Sequence, residues 1–158
     1  MANDHRRRVA VLLLLLSPLA ESSDFVPGTD PRADLAAVAV TARDLKTLQY
    51  MENAHGQLEE WTSRLFARLK NGVGPRAPDP MLDGRADLQV QKISVTYAGY
   101  THNEALARVL RELAEVEQRR VDAVREMIRE GPDESAWAAA NAPVQQIVQF
   151  IRDWSERS

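Results

Sequence analysis

Between Glu104 and Glu130 the chain has neither proline nor glycine, and Leu106, Val109, Leu110, Leu113, Val116, Val121, Val124, Met127 and Ile128 recur there at steps of one helical turn. Wound as an α-helix, all of them fall on one side, and an apolar stripe that long must be covered by other elements. Nothing in the chain supplies a sheet to cover it. Residues 86–100 come nearest, because Ile93, Val95 and Tyr97 alternate as in a strand, yet Leu88, Gln91, Lys92 and Val95 also fit a helical face. A lone strand has no pairing partner, so helix or irregular structure is expected there. The fold class that follows is all-α, a single-domain bundle of five to seven helices spanning residues 1–158. A chain of 158 residues buries roughly 70% of its unfolded surface without needing a covalent staple. The absence of cysteine excludes disulfides, thiolate metal sites and cysteine nucleophiles.

Punctuation along the chain marks the other helices. Asp30-Pro31 is a helix start, with Asp as N-cap and Pro at the first helical position. Leu35, Val38, Ala42 and Leu45 then make one stripe, and Met51, His55, Leu58, Thr62, Leu65 and Leu69 a second. The change of phase between them implies either one twisting helix or a break near Thr47 to Tyr50 or at Gly56. Asn71-Gly72 reads as a left-handed C-cap. A loop of about residues 72–85 follows, rich in proline and glycine. Thr101 and Glu104 have the spacing of a capping box ahead of the long helix. A short helix over Asp133 to Ala140 is expected to end at Asn141-Ala142-Pro143. Val144, Ile147, Val148, Ile151 and Trp154 then stripe a last helix.

Arg6-Arg7-Arg8 leads into an apolar run ending in five leucines, Leu12 to Leu16. This has the outline of a signal peptide, but Pro18 and Glu21 suit a cleavage site badly. The run is also shorter than the ~20 apolar residues needed to cross a bilayer. A core helix over about residues 4–21 is the better fit, with a cytoplasmic protein and no membrane partner.

Motifs for chemistry are sparse. Glu52 and His55 have the Glu-x-x-His spacing of carboxylate-bridged metal bundles, but no second copy or further inward glutamates accompany them, so a hydrogen-bonded core histidine is expected. No serine lies in a nucleophile elbow, and no glycine-rich loop has phosphate-binding form. Asp79, Asp83 and Asp87 lack the other ligands of a calcium loop and read as solvated carboxylates. The expectation is therefore a protein with no catalytic residue, metal or cofactor.

The cations carry more information. Lysine occurs only at 46, 70 and 92 among 20 basic residues, so the other 17 are arginine, the residue whose rigid fork of donors suits phosphates. With 23 acidic residues the formal charge is −3, so any attraction to nucleic acid must be local. On the long helix, Arg108, Arg111, Arg119, Arg125 and Arg129 share the polar face with acidic residues and are expected to be neutralised by them through pairs such as Glu104/Arg108, Arg111/Glu115 and Glu115/Arg119. Arg64, Arg68, Lys70, Arg76, Arg85 and Lys92 have fewer acidic neighbours and cluster around the loop, with Tyr97, Tyr100 and His102 nearby in sequence. That combination suits sequence-independent contact with a sugar–phosphate backbone. Glu117 and Arg120 fall inside the apolar stripe and mark an interhelix polar contact or a subunit interface. The stripe itself, with Trp137 and Trp154, offers an alternative role as a protein–protein adaptor or homo-oligomer.

In length, helical architecture, lack of catalytic residues and dependence on arginine, the chain resembles the small helical subunits of multi-subunit CRISPR ribonucleoprotein complexes. The resemblance implies a part in antiviral defence. Such a subunit lines up with copies of itself and with other subunits, and braces guide RNA or the target strand without cutting it.

Overall fold

The computed structural model describes residues 30–157. The expected helix at about 4–21, with Arg6-Arg7-Arg8, lies outside them. Pro31–Ser158 form one compact all-helical unit. Helix α1 covers Pro31–Ala36, α2 Ala42–Lys70, α4 Glu104–Glu130 and α5 Glu134–Ser155. Between them α3, residues 81–100, is helical apart from a kink at Gly84 (φ +124°), with a wide π-type turn at Lys92–Tyr97. Residues 86–100, expected as helix or irregular structure, are helical.

The long stripe dictates the assembly. Helix α4 packs against each of the other four, and Leu106, Val109, Leu110, Leu113, Val121 and Val124 are fully buried along it. Each such side chain contributes about 1.5–3 kcal/mol of burial. Facing them are Met51 and Leu58 from α2, Ile93 from α3, Ile147 and Ile151 from α5, and Leu35 from α1. Because the stripe is consumed inside this chain, it offers no surface to an adaptor partner. Trp154 is likewise buried, donating to the Val38 carbonyl at 2.9 Å, and the Trp137 ring stacks on Phe66 at 4.8 Å.

Three local expectations are corrected. The first two stripes do not meet within one helix or break at Thr47–Tyr50 or Gly56; the chain breaks earlier, over residues 37–41, leaving Val38 and Leu45 exposed. Thr41 restarts the helix through a reciprocal capping box with Asp44 (3.1 and 3.0 Å). The expected box at Thr101 does not form, because the Thr101 hydroxyl donates instead to Asp44 at 2.9 Å. Asn103 caps α4 in its place, accepting from the Leu106 amide. Finally, α5 runs through Asn141-Ala142-Pro143 without stopping. The carbonyl that Pro143 cannot pair with belongs to exposed Ala139, where water can serve it. Meanwhile Asn141 and Val144 are anchored inward on either side.

Helix α2 ends as the Asn71-Gly72 signal predicts. Gly72 takes φ +74°, and the Val73 amide reaches back to the Arg68 carbonyl at 2.9 Å. That reversal positions the loop.

Candidate nucleic-acid interface

Trp61, Arg64, Leu65 and Arg68 follow one another at three- and four-residue steps, so the last turns of α2 present them as one face. After the Gly72 reversal, residues 73–80 fold back alongside that face. Asp79 fastens them there: its carboxylate accepts from Trp61 Nε1 at 3.1 Å and from the amides of Met81 and Leu82 at 3.1 and 3.3 Å. One side chain thus ties the loop to α2 and begins α3. Asp79 is no solvated carboxylate. Asp87 is exposed as expected, but it is paired: it accepts two hydrogen bonds from Arg125 (2.8 and 2.7 Å), which hold its carboxyl below the ordinary value.

Between α2 and the loop lies a groove of about 300 Å³, floored by buried Trp61 and Leu65 and walled by Pro75, Pro78, Pro80 and Met81. Arg64, Arg68, Arg76 and Arg85 all line it. The fold therefore brings together four of the six cations singled out from the sequence. Arg68 spends two N–H groups on the Gly74 carbonyl at 3.1 and 2.8 Å, bracing the loop. Arg64 pairs with Glu60 at 3.1 Å in full solvent, a contact worth a few tenths of a kcal/mol. Arg76 and Arg85 are exposed, and their side chains have no ion-pair or hydrogen-bond partner among the described residues. Among the described residues the only carboxylate in the lining is Asp79, already engaged, so the groove is a positive site on a chain of net negative charge.

The other two cations lie apart. Lys70 pairs with Glu134 at 2.5 Å and lies over the Phe66 ring. Lys92 sits on α3 about 10 Å along the helix from Arg85 and does not line the groove. Tyr97 and Tyr100 also turn elsewhere. They pack with Tyr50, whose ring centroids lie 5.5 and 5.9 Å away, and Arg43 stacks on Tyr100 at 4.2 Å. Because α3 returns antiparallel to α2, that cluster lies about 20 Å along α2 from Arg64. The aromatic residue at the arginines is Trp61, and its spacing to Arg64 and Arg68 was the signal for it.

A second polar constellation occupies the bundle interior. Glu117 and Arg120, both fully buried, join each other at 2.7 Å. His55 Nδ1 meets the other Glu117 oxygen at 2.6 Å, while Arg120 also donates to Glu59 and, at 2.9 Å, to Asn141. Burial would raise the Glu59 carboxyl, but hydrogen bonds from Arg120 and Gln145 hold it below its ordinary value. The polar contact that Glu117 and Arg120 mark is between helices of this one chain, and neither reaches a surface where a second subunit could touch it. Glu52 does not share a site with His55. It takes a bidentate grip from Arg152 at 2.8 and 2.9 Å, which lowers its carboxyl despite partial burial. Among the described residues no three His, Asp or Glu side chains converge as metal ligands, and no helix is long and apolar enough to cross a membrane.

No protein-family model matches this chain, and no curated protein or solved structure matches it.

The cations of α4 behave differently from those of the groove. Arg108 reaches Asp34 of α1 at 3.4 Å, and Arg125 reaches Asp87 of α3 as well as Asp122 of its own helix, so these arginines also tie helices together. Arg111 pairs with Glu104 rather than Glu115, at 3.5 Å. Arg108 and Arg125 thus fasten α4 to its neighbours, whereas Arg76 and Arg85 stand exposed beside the groove.

Proposed function

We propose that this protein is a non-catalytic helical subunit of a nucleoprotein assembly, of the RNA-guided kind whose small helical subunits it resembles. Its groove grips the sugar–phosphate backbone of guide RNA or a single-stranded target. The observation that carries this reading is the convergence of Arg64, Arg68, Arg76 and Arg85 on one groove from positions spread over 22 residues (64 to 85). Among the described residues the Arg76 and Arg85 side chains have no partner, and Asp79, the carboxylate in the groove lining, is committed to Trp61 and two backbone amides. Guanidiniums so arranged attract phosphodiester oxygens without reading sequence. Lys92, along α3, would extend the contact beyond the groove, while Lys70 is occupied by Glu134.

Each phosphate neutralised on a single strand contributes roughly 0.7 to the slope of log affinity against log salt. Four arginines therefore give a slope of roughly −3. Reversing Arg64 and Arg68 to Glu should remove two contacts, lower the slope by about 1.4 and weaken binding of single-stranded RNA at least tenfold. Reversing Arg76 and Arg85 should weaken it further. Retention that is unchanged by all four reversals across a salt series would remove the reading.

A further inference from the structure

We infer that the groove holds one nucleobase turned out of the strand, with the flanking phosphates on its arginine margin. This rests on the backbone-gripping reading above and goes beyond it, because a backbone track alone needs no apolar interior. The interior here is apolar: Leu65, Pro75, Pro78, Pro80 and Met81 form it, with the edge of Trp61 at its floor. Its volume of about 300 Å³ is at the small end of pockets that enclose a compact planar ligand. It suits a single base, not a stacked run.

Charge fixes which end of a nucleotide goes where. Asp79 is half-buried within the lining, and its carboxylate repels a phosphate from the interior. The guanidiniums of Arg64, Arg76 and Arg85 are exposed at the margin, where a phosphate keeps part of its hydration. A base placed inside would lie against proline rings, the Met81 thioether and the plane of an arginine, contacts every base can make. Among the described residues Asp79 Oδ2 accepts one hydrogen bond, from Trp61, which leaves a lone pair for a base N–H. No outer wall must form on binding, since Asp79 and Arg68 already hold the loop in place.

The test compares a labelled oligothymidylate with an abasic strand of the same length and charge, by fluorescence anisotropy on the full chain. The abasic strand should bind about tenfold more weakly. Met81→Ala should weaken the intact strand several-fold and leave the abasic strand unchanged. Equal affinity for the two strands would overturn the base pocket while leaving the backbone reading in place. An intact-strand preference that Met81→Ala does not reduce would move the base elsewhere and overturn it too. If neither strand binds at low salt, both readings fall.

Discussion

Removing the Arg120 guanidinium should destabilise the protein far more than removing the charge of its partner Glu117, although the two share one hydrogen bond. Arg120 is fully buried and donates to Glu117, Glu59 and Asn141. In Arg120→Met, Glu117 keeps its charge at zero exposure, with only His55 beside it, and Glu59 loses its cation. Taking one partner from a buried pair costs about 3–5 kcal/mol, mostly for the charge left behind. In Glu117→Gln the shape is kept, an amide oxygen still faces His55, and Arg120 retains Glu59, so about 1–2 kcal/mol is expected. The asymmetry arises because two carboxylates surround one guanidinium: losing the cation worsens the imbalance, and losing an anion relieves it. Urea unfolding followed by tryptophan fluorescence measures both. The double variant should be less destabilised than the sum of the single ones, with a coupling of at least 1 kcal/mol, roughly the lower range for groups in contact. If Arg120→Met costs no more than Glu117→Gln, or if the two effects simply add, the network is not the charge-balanced unit described here.

Two further outcomes follow from the same contacts. Glu52, Glu59 and Asp87 all have carboxyls held below their ordinary values in the folded chain. On acidification through the usual carboxylate range near pH 4 the unfolded chain therefore binds protons first, and stability falls. The urea midpoint should drop between about pH 5 and pH 3, and Glu52→Gln with Asp87→Asn should flatten that drop. Gly84 takes φ +124° between Met81 and Arg85, so Gly84→Ala should cost about 1–3 kcal/mol. It should also displace Arg85, measurable as weaker single-strand binding with the helical circular dichroism intact.

The bundle was legible because one period repeated without interruption from Leu106 to Ile128, and every residue of that stripe is buried in α4 except Ile128, which is partly so. Capping was legible where a single residue decides it, as at Gly72. It was misread where a distant group competes. Thr101 has the right spacing to cap α4, but Asp44 takes its hydroxyl from 57 residues away, and no local rule contains that contact. Pro143 was read as a break for the same kind of reason, since Arg120 and Glu59 anchor the neighbouring Asn141 and Gln145. At the candidate site the cations stood out by composition, and four of six converge. Lys70 and Lys92 were grouped with them by sequence distance, but Lys70 turns to Glu134 and Phe66, and α3 carries Lys92 along its length away from the groove. Tyr97 and Tyr100 were misassigned because the antiparallel return of α3 carries them to Tyr50. Asp79 was taken for a surface acid because its partners, Trp61 and the start of α3, become neighbours only once the loop has folded back.

That one carboxylate gives the loop a character its proline and glycine content conceals. A segment drawn against a helix by a tryptophan N–H and two amides has surrendered its freedom during folding, before any ligand arrives. Association with the groove should then be quick and nearly temperature-insensitive in shape, with selectivity expressed in how long a strand stays and not in how readily it enters. Asp79→Ala would convert the same surface into a slow, adaptive one.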